Sequence, residues 1–159
     1  MTRRADTAWW SLLIGGGLTA LASLLHVAII LSGPSWYRFF GAGERMARLA
    51  SRGAVYPTVL TAAIAVVLGI WSLYAYSGAG LIRRLPLLRP TLAAIAAVYF
   101  IRGIIGVPAV LLIDTPYALE LRARPVFMLS TSLICCALGS CYAAGALAPR
   151  SKVRNVSSI

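Results

Sequence analysis

Four long apolar runs divide the chain, and stretches rich in charged, aromatic and turn-forming residues separate them. The runs extend over approximately 8–31, 54–76, 90–113 and 125–147. A helix needs about 20 apolar residues to cross a hydrocarbon core about 30 Å thick, because each residue adds about 1.5 Å of rise. Each run is long enough, so the pattern predicts an all-α fold, an integral membrane four-helix transmembrane bundle.

Two of the three connections between these runs predict short interfacial helices. In the first, residues 44–52 have a helical pattern, with Glu44 facing Arg48 four positions later. In the second, Asp114 or the threonine after it is the expected helix cap, and Pro116 falls in the first turn. The remaining connection, 77–89, contains arginines that favour anchoring to anionic lipid.

An even number of spans puts both chain termini on one side of the membrane, and the basic residues indicate which side. Cytoplasmic connections of membrane proteins carry an excess of Lys and Arg. The terminal side has the larger basic set, which is Arg3, Arg4, Arg83, Arg84, Arg89, Arg150, Lys152 and Arg154. The opposite, outer side has the smaller one, which is Arg38, Arg45, Arg48, Arg52, Arg122 and Arg124. The sequence therefore predicts a bacterial inner-membrane protein with cytoplasmic termini. It also predicts a single transmembrane domain over 1–159, with a flexible tail over 148–159.

The composition agrees with a lipid environment. Hydrophobic residues make up 60% of the 159 residues and charged residues only 12%, whereas soluble domains carry about 25% charged residues. The net charge of +11 would suggest nucleic-acid binding in a soluble protein, but here the basic residues flank the spans. We therefore expect membrane lipids as partners, together with a protein partner or a second copy of the chain, and no nucleic acid.

No residue pattern points to a metal or a cofactor. The cysteines Cys135, Cys136 and Cys141 lie in the last apolar run without CxxC spacing, and we interpret them as packing residues. His26 is the only histidine, so it offers haem a single ligand. The sequence predicts no metal site and no cofactor.

Arg102 is the most informative polar residue, because it interrupts the third apolar run. An arginine at the centre of a membrane helix costs about 2.5–3.5 kcal/mol on insertion scales, so such residues usually face the bundle or a water-filled cavity and have a partner. The alternative is that its side chain extends to the interface, helped by a kink at Gly103, Gly106 and Pro108. We expect an internal role, in binding or in an ion pair.

Each predicted span contributes polar residues to the outer half of the bundle. His26 lies near the outer end of the first span, Thr61 in the first outer turns of the second, and Ser130 near the start of the fourth. Tyr99 precedes Arg102 by three residues and shares its helix face. The inner half contains almost no such groups, and this asymmetry predicts a polar pocket that opens outward.

This pocket is net cationic unless an acidic residue enters it from a loop. No acidic residue lies within the spans, and Glu44 is the candidate to fold back and pair with Arg102. An unpaired arginine favours an anionic headgroup. We therefore expect a site for an amphipathic, anionic ligand, such as a lipid, a polyprenyl phosphate or a fatty acid. Its expected residues are His26, Tyr99, Arg102, Thr61, Ser130 and Glu44.

Two other functions stay open, because no sequence motif identifies a reaction. In a membrane enzyme acting on a lipid or quinone-like substrate, His26 is the candidate general base, since histidine titrates near neutral pH. Its acid partner would be Glu44 or Glu120. In a purely structural subunit of a larger membrane complex, the same polar residues would contact the helices of a partner.

Overall fold

The computed structural model describes residues 2–148, with side chains described from Asp6 onward. Over this range the chain forms helices in the order α1 (Thr2–Ser32), α2 (Pro34–Phe39), α3 (Glu44–Ser51), α4 (Val55–Gly78), α5 (Leu88–Leu112), α6 (Pro116–Arg122) and α7 (Pro125–Leu147). No strand occurs within it. The tail expected over 148–159 lies outside the described residues, apart from the first of them.

Four of these helices, α1, α4, α5 and α7, are long and apolar enough to cross a membrane. Their apolar segments begin and end within two residues of the predicted runs. The prediction of an all-α membrane bundle is therefore confirmed.

The short helices predicted in the outer connections also form, as α3 and α6. Thr115 caps α6, because its hydroxyl accepts a hydrogen bond from the N–H of Ala118 at 3.2 Å. Helix α2 is a further short helix, in the aromatic stretch before α3, that the sequence pattern does not predict.

Two antiparallel helix pairs make up the bundle. Helix α1 packs along α4 and α5 packs along α7, a contact between α1 and α7 joins the pairs, and α4 touches α5 much less. Arg89 at the start of α5 donates a hydrogen bond to the carbonyl of Ala148, after α7, and Leu12 of α1 lies against Gly78 of α4. We call this the proximal end of the bundle. The distal end is the opposite one, which carries α2, α3 and α6.

Glycines let α1 approach both of its neighbours closely. A Cβ on Gly16 would lie 2.9 Å from the Cβ of Ala75 in α4, and one on Gly15 would lie 2.8 Å from the Cβ of Cys141 in α7. Lipid tails are as apolar as leucine, so membrane helices associate where small residues let their backbones approach. Helix α1 therefore connects the two pairs.

Side-chain hydroxyls link the spanning helices by hydrogen bonds. Ser72 of α4 donates to the backbone carbonyl of Gly16 at 3.0 Å, and Ser23 of α1 donates to that of Ala65 at 2.7 Å. Tyr142 of α7 donates to a backbone carbonyl of α4 at 3.1 Å. Because a polar group left unpaired in lipid costs free energy, these bonds favour one relative placement of α1, α4 and α7.

Leu12 fills the space where α1, α4 and α7 meet, and its truncation tests this packing. It is 3% exposed, and a Cβ on Gly145 of α7 would overlap it. We expect Leu12→Ala to lower the free energy of unfolding by an amount near the lower end of the range of about 2–5 kcal/mol found for buried leucines. The loss is small within this range because the unfolded chain in detergent also has apolar surroundings. Titration with dodecyl sulfate, followed by circular dichroism, measures it.

Leu18→Ala is the matched control, because Leu18 lies on the same helix and is 47% exposed. Its free energy of unfolding should change by less than about 0.5 kcal/mol. Equal losses in the two variants would contradict the placement of Leu12 in the core.

Candidate functional site

Helices α2, α3 and α6 together form a distal cap, and hydrogen bonds join the two connections that contain them. The hydroxyl of Tyr117 in α6 donates to the carbonyl of Gly41 at 3.0 Å. The backbone N–H of Glu44 donates to Oε2 of Glu120 at 2.9 Å, and Nη1 of Arg124 donates to a carbonyl of α2 at 2.9 Å. The cap is therefore one hydrogen-bonded unit.

Two glycines between α2 and α3 make this close contact possible. Gly41 has φ 74° and Gly43 has φ 92°, a left-handed backbone that residues with a Cβ rarely adopt. A Cβ on Gly41 would overlap the ring of Phe127, and one on Gly43 would lie 2.9 Å from the ring of Tyr117. The Gly-Ala-Gly turn thus lets α3 lie against α6.

Glu44 is the central charged residue of the distal cap. Its carboxylate accepts hydrogen bonds from Nε and Nη2 of Arg38 at 2.7 and 3.1 Å, and Nε of Arg48 lies 4.0 Å from it. The hydrogen bond from Arg38 holds the pKa of Glu44 below its ordinary value, against an opposing effect of burial. Glu44 therefore pairs within the cap and makes no ion pair with Arg102.

Arg122 fixes α6 to the end of α5. Its Nε and Nη2 donate to the carbonyls of Val110 and Leu111, each at 2.9 Å, and Nη2 lies 3.0 Å from the carboxylate of Asp114. The last carbonyls of a helix have no hydrogen-bond donor within that helix, so Arg122 supplies donors to the last carbonyls of α5. Its side chain has a structural role at this position.

The distal cap borders two clefts, which share Gly43, Tyr117 and Glu120 in their linings. One encloses about 610 Å³, and its other charged lining residues are Arg38, Glu44 and Arg124. The second encloses about 860 Å³ between α3 and the start of α6. Small-molecule sites commonly enclose about 300–1,000 Å³. Both clefts therefore have the size of a ligand site, and both lie in the connections rather than between the spanning helices.

Arg102 lies inside the membrane-spanning part of α5. The helix ends at Leu112, which is about 15 Å farther along its axis. The Arg102 residue is exposed, and its side chain makes no hydrogen bond or ion pair within residues 6–148. Tyr99, on the same helix face, is only 7% exposed. Tyr99 is therefore buried in the bundle, whereas Arg102, three residues later on the same helix, is exposed.

A buried hydroxyl without a hydrogen-bond partner and the Arg102 guanidinium both lie near Gly106. Nη1 of Arg102 occupies the space that a Cβ on Gly106 would take, and Oγ of Ser132 in α7 lies 3.9 Å from that Cβ position. Ser132 is 7% exposed, and its hydroxyl has no partner among the described residues. A guanidinium and a hydroxyl thus both border Gly106, where α5 faces α7.

Tyr117 is the residue of the distal cap on which the charge of Arg102 acts. Burial raises the pKa of the Tyr117 hydroxyl, and the positive charge of Arg102 opposes the rise. The Arg102 guanidinium is therefore within electrostatic reach of the phenol. Arg102 thus lies below the cap, on the distal side of the core.

Other predicted site residues have partners of their own. Nδ1 of His26 is 2.7 Å from the carbonyl of Ala22 in its own helix, and the ring makes no ion pair in the described part of the chain. The hydroxyl of Tyr99 lies 3.1 Å from Oγ1 of Thr19. Neither His26 nor Tyr99 hydrogen-bonds to Arg102. The described residues also contain no group of three or more His, Cys, Asp or Glu side chains that could hold a metal.

Thr61 and Ser130 have different environments. Thr61 of α4 is 5% exposed, whereas Ser130 of α7 is exposed. Residues two positions apart on a helix face different directions, so only one of Ser130 and Ser132 can face α5. The sequence analysis names Ser130 at this depth, whereas the serine near Gly106 of α5 is Ser132.

Replacing Arg38 tests the charged pair in the distal cap. Arg38→Gln should raise the pKa of Glu44 toward the ordinary glutamate value of about 4.3, because Arg38 is the main cause of the lowered value. A carboxylate with a lowered pKa stabilises the fold above its unfolded-state pKa, and this contribution is lost as the pH falls through the folded-state pKa. Titration of ¹³C-labelled glutamate by NMR in micelles measures the pKa.

Arg45→Gln is the control for this titration, because it removes a charge from the distal cap that has no resolved effect on the pKa of Glu44. It should leave the pKa of Glu44 nearly unchanged. An unaltered pKa in Arg38→Gln would contradict the observed pair.

No protein-family model matches the chain, and no curated protein and no solved structure is significantly similar to it.

Proposed function

We propose that this membrane protein binds an anionic, amphipathic ligand in the distal half of the bundle, and that Arg102 contacts the polar head of the ligand. The observation that carries the proposal is a guanidinium inside a spanning helix that makes no hydrogen bond or ion pair with the residues described. A charge at this depth costs about 2.5–3.5 kcal/mol on insertion scales. Contact with an anion would offset that cost, because charge-assisted hydrogen bonds are the stronger ones.

The surroundings of Arg102 support a ligand with one negative head and an apolar tail. Ser132 adds a hydroxyl that can donate to the same head. The neighbouring residues Ile101, Ile104 and Ile105 are exposed and apolar, so they suit an acyl or isoprenoid chain. A phospholipid, a polyprenyl phosphate and a fatty acid share this chemistry.

The second candidate function is that of a structural subunit in a larger membrane complex. The same exposed arginine favours it, because a carboxylate on a helix of another protein could pair with Arg102. Helices α4 and α5 touch only slightly, which leaves room for a helix beside α5. The two candidates differ in the molecule that supplies the negative charge.

We also propose the orientation and location of the chain. The proximal end has more basic residues in its connections and terminal segments than the distal end has, and cytoplasmic segments carry such an excess. The proximal end is therefore assigned to the cytoplasm and the chain to a bacterial inner membrane.

Arg102→Gln should weaken the binding of anionic amphiphiles about tenfold or more, since a hydrogen bond to a charged group contributes about 1.5–3 kcal/mol. Native mass spectrometry in a neutral detergent measures the affinity for oleate and for dioleoyl phosphatidylglycerol. Oleyl alcohol and dioleoyl phosphatidylcholine are the matched ligands without net charge. Their binding should change by less than twofold.

Gly106→Ala tests the position of the guanidinium without changing the charge. An added methyl group would occupy the space of Nη1 of Arg102, so it should also reduce binding of the anionic amphiphiles. Gly17→Ala is the control, because its nearest neighbour would be the Tyr76 hydroxyl at 4.0 Å. Wild-type affinity in both Arg102→Gln and Gly106→Ala would contradict the proposal. If Arg102→Gln disrupts a complex with another protein and leaves amphiphile binding unchanged, that result would support the structural subunit instead.

A further inference from the structure

The exposed side of α3 carries a row of arginines. Arg45, Arg48 and Arg52 occupy positions i, i+3 and i+7, which lie on one helix face. On the opposite side Ala47 is fully buried and packs in a small apolar cluster with Tyr37. Packing therefore fixes the direction in which the arginines point, and this direction is away from the bundle.

These arginines have little ionic compensation from the described chain. Arg45 and Arg52 make no ion pair within residues 6–148. Arg48 lies 4.0 Å from Glu44, but Glu44 is held by two shorter hydrogen bonds from Arg38. An exposed pair at 4.0 Å contributes little, so this face keeps its positive charge.

The row borders the cleft of about 860 Å³ between α3 and α6. Arg45 and Arg48 are in its lining, and Glu120 is the acidic residue there. One oxygen of Glu120 already accepts the N–H of Glu44. Arg45, Arg48 and Arg52 also border a smaller hollow of about 190 Å³. The positive charge is thus concentrated at a concave surface rather than spread over a flat one.

The rest of the cleft is apolar and aromatic. Met46 and Leu49 of α3 and Pro116 of α6 line it, together with the rings of Tyr56 and Tyr117. Tyr56 is the second residue of α4, where an apolar spanning segment begins. Tyrosine rings are enriched at this level of a bilayer, beside the lipid headgroups. The cleft therefore opens where a lipid headgroup and the upper part of its chains lie.

We propose that the cleft between α3 and α6 binds the phosphate group of an anionic membrane lipid, with Arg45 and Arg48 as its ligands. The planar guanidinium presents paired N–H donors that match two oxygens of a phosphate. Met46, Leu49 and the two tyrosine rings contact the glycerol and the first methylene groups. This site is separate from Arg102 and does not depend on the function proposed for that residue.

The double variant Arg45→Gln/Arg48→Gln tests the site in the full-length chain. Each basic residue near an anionic lipid contributes roughly fivefold to affinity, so the loss for dioleoyl phosphatidic acid should be about 25-fold. Native mass spectrometry of the protein in a neutral detergent measures it. Circular dichroism should be unchanged, because both side chains are exposed.

Arg83→Gln/Arg84→Gln is the matched control, since it removes the same charge from exposed residues of the proximal connection, which attract anionic lipid as surface charge but lie outside the cleft. It should lower the affinity for phosphatidic acid less than about fivefold, because neither arginine lies near a lipid bound in the cleft, and the full contribution needs that proximity. Equal losses in the two double variants would overturn the proposal, because net charge alone would then explain the binding. Wild-type affinity in Arg45→Gln/Arg48→Gln would overturn it as well.

Two further arms identify the source of the phosphate and separate this site from Arg102. Inorganic phosphate should bind the cleft at least about 100-fold more weakly than phosphatidic acid does, since it lacks the apolar part that the cleft contacts. Competition with bound phosphatidic acid measures this difference. Equal competition would overturn the assignment to a lipid. Native mass spectrometry counts bound lipids, so a phosphatidic acid molecule at Arg102 and one in the cleft are measured separately. Arg102→Gln should lose the first and keep the second, and Arg45→Gln/Arg48→Gln should do the reverse, so the two proposals fail independently. Loss of the second molecule in Arg102→Gln but not in Arg45→Gln/Arg48→Gln would place its phosphate at Arg102 and overturn the assignment to the cleft.

Discussion

A polar group in the hydrocarbon core of a membrane must be paired inside the protein, and the bundle is organised around this constraint. Helices satisfy the backbone, and hydroxyl groups on them find acceptors on neighbouring helices. Ser72 and Ser23 donate to carbonyls across the contact between α1 and α4, and Tyr99 meets Thr19 near the centre. Packing is close at the same places, so polar and apolar contacts support one arrangement. Arg102 is the described residue in a spanning segment that departs most clearly from this rule.

The distal half differs because its contacts come from connections and not only from the spanning helices. Helices α2, α3 and α6 hold one another by hydrogen bonds and by a turn that requires Gly41 and Gly43. Arg38 and Arg122 are used in these contacts. Arg45 and Arg102 are not used in these contacts. Arg45 lines the cleft between α3 and α6, and Arg102 lies in the membrane-spanning segment of α5. The distal end therefore carries positive charge that the fold does not use, at two depths.

The sequence predicts the spans well because their signal is local: length and apolarity are enough to define a membrane helix. It also predicts α3, from the spacing of Glu44 and Arg48, and α6, from the Thr115 cap and Pro116, because these are local signals. Which side chains pair in the folded protein is harder to predict from the sequence. The spacing of Glu44 and Arg48 indicates an ion pair, but Arg38 forms the shorter contact because the glycine turn brings α2 back to α3. Tyr99 shares a helix face with Arg102, yet packing with α1 gives it Thr19 as a partner.

The central claim is that Arg102 contacts a negative group from outside the chain. An experimental structure of the protein in a native lipid disc tests it most directly. We expect density for a phosphate or carboxylate about 2.7–2.9 Å from the guanidinium, near Gly106. A guanidinium that extends into water at the distal end, or that contacts only carbonyls of its own chain, would contradict it.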